Sequence, residues 1–373
     1  MSEKIRVGLI YGGRSGEHDV SLQTALAVIK AFDFSKYDIL PFYITKQGEW
    51  RSGPQLAGPL ERVEQLTFQP ALEEGGTAAL QPFFGSAVTA SGSRSSGSAA
   101  GPIDVVLPLL HGTFGEDGTI QGLLEMANIP YVGAGVLASA VGMDKVMMKK
   151  IFAQEGLPQC VFRHFTRNQW EKDHPYFLME IEVAIGYPCF VKPANLGSSV
   201  GITKAHNRDE LIKAIEVAFQ YDRKVIVEEN IDAREIEVSV LGNDDPIASV
   251  PGEIVSSNEF YDYKAKYIDG KSAMIIPADI PSELAAQFRE LAVRAFQAID
   301  GSGLSRVDFF LTRDSGKIYI NEINTMPGFT PFSMYPLLWK ESGKSYAELL
   351  DDLIRLAVER HAAKQSIQYT FDL

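Results

Sequence analysis

The sequence has few cysteines, no long apolar run and no excess of positive charge. Its two cysteines, Cys160 and Cys189, exclude a disulfide framework and a zinc-binding spacing, which indicates a reducing cytoplasm. No apolar run approaches a membrane span, and the one near the N-terminus is too short for a signal peptide. The net charge of −13 argues against a nucleic-acid backbone or an anionic membrane as the main partner. We therefore expect a cytoplasmic protein that can still bind a small anion through a local cluster of lysines.

The length of 373 residues predicts two or three domains, and 45% hydrophobic with 22% charged residues is typical of a globular protein. The apolar strand Ile5–Tyr11 ends in a glycine turn, and a helix follows, which indicates a Rossmann-like α/β unit. The turn lacks the full G-x-G-x-x-G spacing, so a dinucleotide is not indicated. Glu17 lies where the turn meets the helix, and a charge at a helix start is an alternative explanation for it. His111 follows the strand Ile103–Leu109, at the strand end where such sheets bind ligands, although a structural histidine is equally compatible.

The middle of the chain carries lysines beside a glycine- and serine-rich loop. The periodicity predicts one long helix over Val136–Glu155, which contains Lys145 and an exposed basic pair, Lys149-Lys150. Lys192 ends an apolar strand immediately before the loop Asn195–Gly201, whose backbone N–H groups can cradle phosphate. This is not a P-loop, because the lysine precedes the loop, and a plain hairpin turn is the alternative.

Two acidic strands and an aromatic loop follow. Lys224–Ile231 reads as a strand that ends in acids, and the alternating segment Arg234–Leu241 reads as a half-exposed strand. The acids can accept hydrogen bonds from an adenine amino group and ribose hydroxyls, or they can form a charged sheet edge. Phe260–Tyr267 is predicted to be an ordered loop of the kind that closes over active sites. The amphipathic helix Pro281–Ile299 is expected to pack behind the hairpin that comes next.

A β-hairpin is predicted within Leu304–Gly328, with strands at Arg306–Leu311 and Lys317–Asn324. Because side chains alternate along a strand, Arg306 and Asp308 share one face, as do Glu322 and Asn324 on the partner strand. Carboxylate and amide oxygens, completed by phosphate oxygens, suit Mg²⁺. A solvated sheet face with a surface ion pair is the alternative.

Several strings occur in the order found in one enzyme family. They are GGRSGEHDVSL at 12–22, HGTFGEDGTIQG at 111–122, MDK at 143–145, VKPANLGSSVG at 191–201, YDYKAKY at 261–267, RVDFF at 306–310 and NEINTMPGFTPFSMYP at 321–336. Along nearly its full length the chain resembles the D-alanine–D-alanine ligase family. The resemblance implies α/β and α+β architecture, an ATP-grasp fold preceded by a Rossmann-like parallel-sheet domain. The implied units are a substrate domain (1–133), a central subdomain with the phosphate loop (134–228) and a C-terminal subdomain with the metal site (229–373).

The resemblance also implies a reaction. ATP phosphorylates one D-alanine, the amine of a second D-alanine attacks the acyl phosphate, and the dipeptide serves peptidoglycan synthesis in the cytoplasm. Two Mg²⁺ or Mn²⁺ ions and a homodimer are expected on the same basis. A D-alanine–D-lactate ligase is an alternative, which Tyr267 in its loop disfavours, and a non-catalytic ATP-binding relative is another. The long Ser/Gly-rich stretch at 48–101 departs from a compact ligase of this type.

Residue roles follow from the resemblance alone. The ATP contacts are expected from Lys145, Lys192, Ser198, Ser199, Glu228, Glu229, Ile231 and Glu235. The metal ligands are expected from Asp308, Glu322 and Asn324. The first D-alanine is expected near Glu17, Val20 and His111, with Glu17 in a triad with Ser198 and Tyr267. The second is expected near Lys266, Ser333 and Met334, and Arg306 with the N–H of Gly328 would stabilise the tetrahedral intermediate. No residue stands out as the base for the attacking amine.

Overall fold

The computed structural model describes residues 4–68, 103–255 and 273–368. Its first sheet contains β1 (Ile5–Gly12), β2 (Tyr37–Ile44), β3 (Trp50–Ser52) and β4 (Val105–Leu109). The strand order is β3-β2-β1-β4, with β1 parallel to both of its neighbours and β3 antiparallel at the edge. Helix α1 (His18–Ala31) follows the glycine turn after β1. The predicted Rossmann-like opening is therefore confirmed. The Ser/Gly-rich stretch at 48–101 contains β3 and a short 3₁₀ helix, Val63–Leu66, and its residues 69–101 lie outside the described residues.

Three helices follow β4, and one predicted boundary among them is wrong. They are α2 (Thr119–Met126), α3 (Val136–Met143) and α4 (Lys145–Gln154). The single helix expected over 136–155 is interrupted at Asp144, whose φ of −86° and ψ of 97° are not helical. The Asp144 carboxylate accepts from the N–H groups of Val146 and Met147 at 3.1 Å, so it caps α4 as a separate helix.

The second sheet is antiparallel and lies in the middle of the chain. Its strands are β5 (Phe162–Thr166), β6 (Cys189–Pro193), β7 (Thr203–Ala205) and β8 (Lys224–Glu229), in the order β5-β8-β6-β7. Helices α5 (Arg167–Ala184) and α6 (Arg208–Ala218) bury their apolar faces against it. Helix α5 is kinked at Asp173, two residues before Pro175, where the proline ring opposes a regular helix.

The third sheet contains the hairpin. Its strands are β9 (Ala233–Gly242), β10 (Ile247–Ala248), β11 (Gly252–Val255), β12 (Ala273–Ile275), β13 (Gly303–Thr312) and β14 (Ile318–Asn324). The order is β12-β11-β9-β13-β14, with β10 paired to β9. Strand β9 is central and buried from Ile236 onward, so its prediction as a half-exposed strand is wrong. Helix α7 (Ser282–Ala298) packs behind the hairpin, as predicted, with the Phe288 and Phe309 rings 5.2 Å apart.

The chain closes with α8 (Met334–Glu341) and α9 (Tyr346–Gln365). Helix α9 buries Leu349, Leu353 and Ile354 in the same core as Val7 and Leu9 of β1. The last helix thus completes the core of the first sheet. The domain boundaries at 133 and 228 stay predictions.

Candidate active site

The hairpin brings its charged side chains together, as predicted, with a one-residue shift in strand register between Asp308 and Phe309. Asp308 of β13 pairs with Glu322 of β14, and Arg306 pairs with Asn324 two residues away. The intervening Val307 is fully buried on the opposite face, in the core below the sheet. Because directly paired residues of antiparallel strands share a face, the four polar side chains form one compact group.

Arg306 is held in a fixed orientation by two carboxylates. Its guanidinium donates two hydrogen bonds of 2.7 Å to Asp308, and its Nε lies 2.8 Å from Oε2 of the buried Glu237. Burial alone would lower the pKa of Arg306, but Asp308 and Glu237 outweigh burial and hold that pKa well above its ordinary value. Glu237 lies on β9 directly opposite Asp308, and it was not among the predicted site residues. The arginine is therefore permanently charged and aimed along the sheet.

The same group offers oxygen atoms for a metal. Among the described ranges, no three His, Cys, Asp or Glu side chains are grouped for metal binding. The donor set at the hairpin is instead two carboxylates and an amide, Asp308, Glu322 and Asn324, with the Asn324 Nδ2 donating to Asp308 at 2.9 Å. Hard oxygen donors in that number, completed by phosphate oxygens and water, fit Mg²⁺ or Mn²⁺. The residues present fit the ion, and their assignment as ligands stays a prediction.

A cleft of about 480 Å³ opens between the second and third sheets. Eight of the predicted residues line it: Lys192, Ser199, Glu228, Glu229, Ile231, Glu235, Asp308 and Glu322. Its volume is that of a small-molecule site. The acid-tipped strand β8, the phosphate loop and the metal group thus meet at one cavity.

The lysines around this cleft differ from the prediction at one position. Lys145 donates to the carbonyl of Leu196 at 2.8 Å and lies 3.6 Å from Glu322, which links the phosphate loop to the metal group. Lys150 is exposed as predicted, but Lys149 is 1% exposed and lies 3.2 Å from the Glu228 carboxylate. The prediction of an exposed pair is wrong for Lys149, because its position four residues after Lys145 turns it to the buried face of α4.

The phosphate loop has an unusual backbone. Ser198 and Ser199 have φ values of 53° and 58°, and Gly201 follows at 73°. Left-handed conformations cost about 1–3 kcal/mol at a non-glycine residue and concentrate at binding sites. Asn195 anchors the start of the loop through hydrogen bonds of 2.9 and 3.0 Å to Asp222. Turn conformations of this kind can present backbone N–H groups to a phosphate.

Glu17 meets the phosphate loop at the start of α1. The Ser198 hydroxyl donates a hydrogen bond to the Glu17 carboxylate, as the predicted triad requires. Gly112, at φ 74°, approaches so closely that a Cβ there would lie 2.6 Å from Glu17 Oε2. The buried His111 has its Nε2 3.2 Å from the Thr24 hydroxyl, and burial lowers the pKa of His111. A neutral imidazole beside the Glu17 carboxylate is the resulting arrangement.

Glu116 is a second residue that the sequence reasoning missed. Its carboxylate accepts a 2.6 Å hydrogen bond from the N–H of Gly112 and so holds the loop that follows β4. Burial, followed by repulsion from Glu17, raises the pKa of Glu116 to about 8. The motif HGTFGEDG contained this residue, but only the histidine had been singled out.

Some of the remaining predicted residues are described by the structure, and others lie outside the described ranges. A Cβ at Gly328 would lie 3.0 Å from the Ser333 hydroxyl, so these two residues are neighbours. The Ser333 hydroxyl also accepts from the N–H of Thr330 at 3.0 Å, and Met334 is buried at the start of α8. Val20 is half-buried on α1. Lys266, Tyr267 and the predicted loop 260–267 lie outside the described residues.

Comparison with known proteins identifies the family. Residues 151–355 match the family described as "D-ala D-ala ligase C-terminus", and residues 6–134 match "D-ala D-ala ligase N-terminus". The chain belongs to the D-alanine–D-alanine ligase family. A ligase of that name from Bacillus cytotoxicus is 60% identical over 98% of this chain and 99% of its own. The D-alanine–D-alanine ligase from Listeria innocua is 52% identical over 99% of this chain and 100% of its own.

Solved structures of this ligase family share the fold. The D-alanine-D-alanine ligase from Coxiella burnetii has a TM-score of 0.77 at 34% identity and covers 98% of this chain and 97% of its own. The VanG D-Ala:D-Ser ligase from Enterococcus faecalis has a TM-score of 0.76 at 37% identity, over 95% of this chain and 100% of its own. The predicted ATP-grasp fold is therefore confirmed, and the depsipeptide alternative is not favoured.

Proposed function

We propose that the chain catalyses the ATP-dependent joining of two D-alanine molecules to D-alanyl-D-alanine, releasing ADP and phosphate, for peptidoglycan precursor synthesis. The observation that carries this proposal is the pairing of Asp308 with Glu322 at the end of the cleft, with Lys145 3.6 Å from Glu322. Phosphoryl transfer needs little more than metal ligands, cations and positioning, and this group supplies all three.

The first step transfers the terminal phosphoryl group of ATP to the carboxylate of one D-alanine. Lys145, Lys192 and the loop around Ser198 neutralise and orient the phosphates. Asp308, Glu322 and Asn324 would hold Mg²⁺ or Mn²⁺, which when bound would supply charge neutralisation for the transfer. The Glu17 carboxylate, held by a hydrogen bond from the Ser198 hydroxyl, would accept a hydrogen bond from the ammonium group of this D-alanine.

In the second step the amine of another D-alanine attacks the acyl carbon, a peptide bond forms and phosphate leaves. The oxyanion that develops at this carbon needs preorganised donors. Arg306 is suited to that role because Asp308 and Glu237 fix its orientation, and the N–H of Gly328 is the second proposed donor. Ser333, which lies beside Gly328, would hold the carboxylate of the second D-alanine together with Lys266 and Met334.

The proposed setting is a homodimer in the cytoplasm. Two buried free cysteines support a reducing compartment. In the part of the chain that the structure describes, no helix has the length and apolar character needed to cross a membrane. The homodimer rests on the family resemblance, and light scattering on the purified protein would test it.

The function is tested by coupled ADP release with D-alanine and with L-alanine in parallel. We expect turnover with D-alanine and none with L-alanine. Addition of D-serine or D-lactate to D-alanine, with product analysis by mass spectrometry, tests the second site. A mixed dipeptide or an ester as the main product would overturn the D-alanine assignment, and ATP binding without turnover of any D-amino acid would indicate a non-catalytic relative.

A further inference from the structure

Lys149 is a buried lysine without a role in the proposed chemistry. It lies on α4 with 1% of its surface exposed, and its ammonium sits 3.5 Å from the Cys160 sulfur and 5.9 Å from the centre of the Phe162 ring. Lysines are almost never fully buried unless they are paired. Its charged partner is Glu228, whose Oε1 is 3.2 Å from the Lys149 ammonium.

Glu228 is shared by two lysines. Lys192 lies 2.6 Å from its Oε2, and both Lys149 and Glu228 have side chains no more than 2% exposed. Burial alone would raise the pKa of Glu228, but the two lysines outweigh burial and lower that pKa to about 2. One buried carboxylate therefore stands between two ammonium groups.

The two lysines are placed differently relative to the nucleotide cleft. Lys192 lines the cleft and Lys149 does not. A phosphate that enters the cleft competes with Glu228 for Lys192. If Lys192 were the sole partner of Glu228, its departure would leave a buried charge unpaired, which is strongly unfavourable. Lys149 approaches the other carboxylate oxygen and can remain there.

We propose that Lys149 is a positioning residue for the nucleotide: it retains the Glu228 carboxylate, so that Lys192 can leave Glu228 for the phosphates. This inference rests on the proposed ATP-dependent function. Without Lys149, Lys192 stays paired with Glu228 and is not released to the phosphates. Neighbouring Lys150 points to solvent and takes no part.

The test compares Lys149→Met with Lys150→Met, a matched control on the same helix. ADP binding is measured by titration calorimetry without D-alanine, and KM values are measured with it. We expect the Kd for ADP to rise at least about tenfold in Lys149→Met, as when one partner of a buried charge pair is lost, and to be unchanged in Lys150→Met. The KM for D-alanine should stay within about twofold of wild type, because the effect acts through Glu228.

Two further variants separate charge from packing. Lys149→Arg keeps the charge and should restore much of the ADP affinity, whereas Lys149→Gln should not; this pair decides the question if Lys149→Met fails to fold. In a Glu228→Gln background Lys192 has no carboxylate to leave, so adding Lys149→Met should change the ADP Kd by less than about twofold. A folded Lys149→Met with wild-type ADP affinity, or an equal loss in the Arg and Gln variants, would overturn the proposal. A wild-type chain that binds ADP without joining D-alanine would refute the proposed function and leave this test intact.

Discussion

The hydroxyl of Ser198 donates a hydrogen bond to the carboxylate of Glu17, although 181 positions separate the two residues. Ser198 belongs to the phosphate loop and Glu17 to the start of α1 behind the first sheet. This hydrogen bond joins the predicted phosphate loop to the residue that we propose as the anchor for the first substrate.

Ser198→Ala removes this contact without adding bulk. A hydrogen bond to a charged group contributes about 1.5–3 kcal/mol, so we expect the KM for the first D-alanine to rise about tenfold or more. Steady-state kinetics with ATP saturating measure it. The comparison is Ser199→Ala, which lines the nucleotide cleft and should raise the KM for ATP instead. Identical kinetic profiles for the two variants would contradict the separate roles.

Glu322→Gln keeps the size of the side chain and removes a negative charge from the predicted metal group. We expect turnover to fall by at least about a hundredfold, because metal-assisted charge neutralisation contributes several kcal/mol. The coupled ADP-release assay measures the loss, and an unchanged Tm shows that the fold is intact. Glu341→Gln, at an exposed position, is the control. Wild-type turnover in Glu322→Gln would refute the metal assignment.

Arg306→Lys preserves a positive charge but loses the fork that grips Asp308 through two hydrogen bonds. We expect kcat to fall by about a hundredfold, as for the loss of an oxyanion donor, with smaller changes in the KM values. Arg355→Lys, the same substitution at an exposed position, is the control for kcat and the KM values. A change confined to KM would show that Arg306 binds substrate rather than the developing oxyanion.

Glu116 predicts a pH dependence of stability. Its pKa is raised from 4.5 to about 8, chiefly by burial, so the folded state holds the proton more tightly than the unfolded chain. The stability from this group is fully present below pH 4.5 and is lost as the pH rises to about 8. Glu116→Gln is neutral throughout, so its Tm relative to wild type should rise across that window. Calorimetry without nucleotide measures this, and exposed Glu290→Gln should show no such trend.

The sequence predicted the hairpin group because it depends on local rules. Alternation along each strand places Arg306 with Asp308 on one face and Glu322 with Asn324 on one face. The pairing of Asp308 with Glu322 also needs the shift in register between Asp308 and Phe309, which alternation does not predict. The positions of Lys192 and His111 near the ends of strands could likewise be predicted from the local sequence pattern. These features need no knowledge of distant contacts.

The residues that were missed depend on what packs against them. Lys149 looked like half of an exposed pair, since its partner Glu228 comes much later in the chain, although its four-residue spacing from Lys145 was a usable signal. Glu237 shares a strand face with Glu235, but only the strand order shows that it faces Asp308. The interruption of the helix at Asp144 was not predicted, because the apolar residues on both sides of Asp144 keep the helical periodicity. Its capping role depends on an N-cap geometry that apolar periodicity does not report.

The packing of α9 against the first sheet has a consequence for synthesis on the ribosome. The core of the middle sheet draws its buried residues from Phe165 to Val227 alone, so it can close once that segment has emerged. The core under β1 needs Leu349 and Leu353, which are translated near the end. Domains fold as their parts become available, so the first strands made are among the last to be buried. Strand β1 therefore stays incompletely buried until α9 has been synthesised and packs against it.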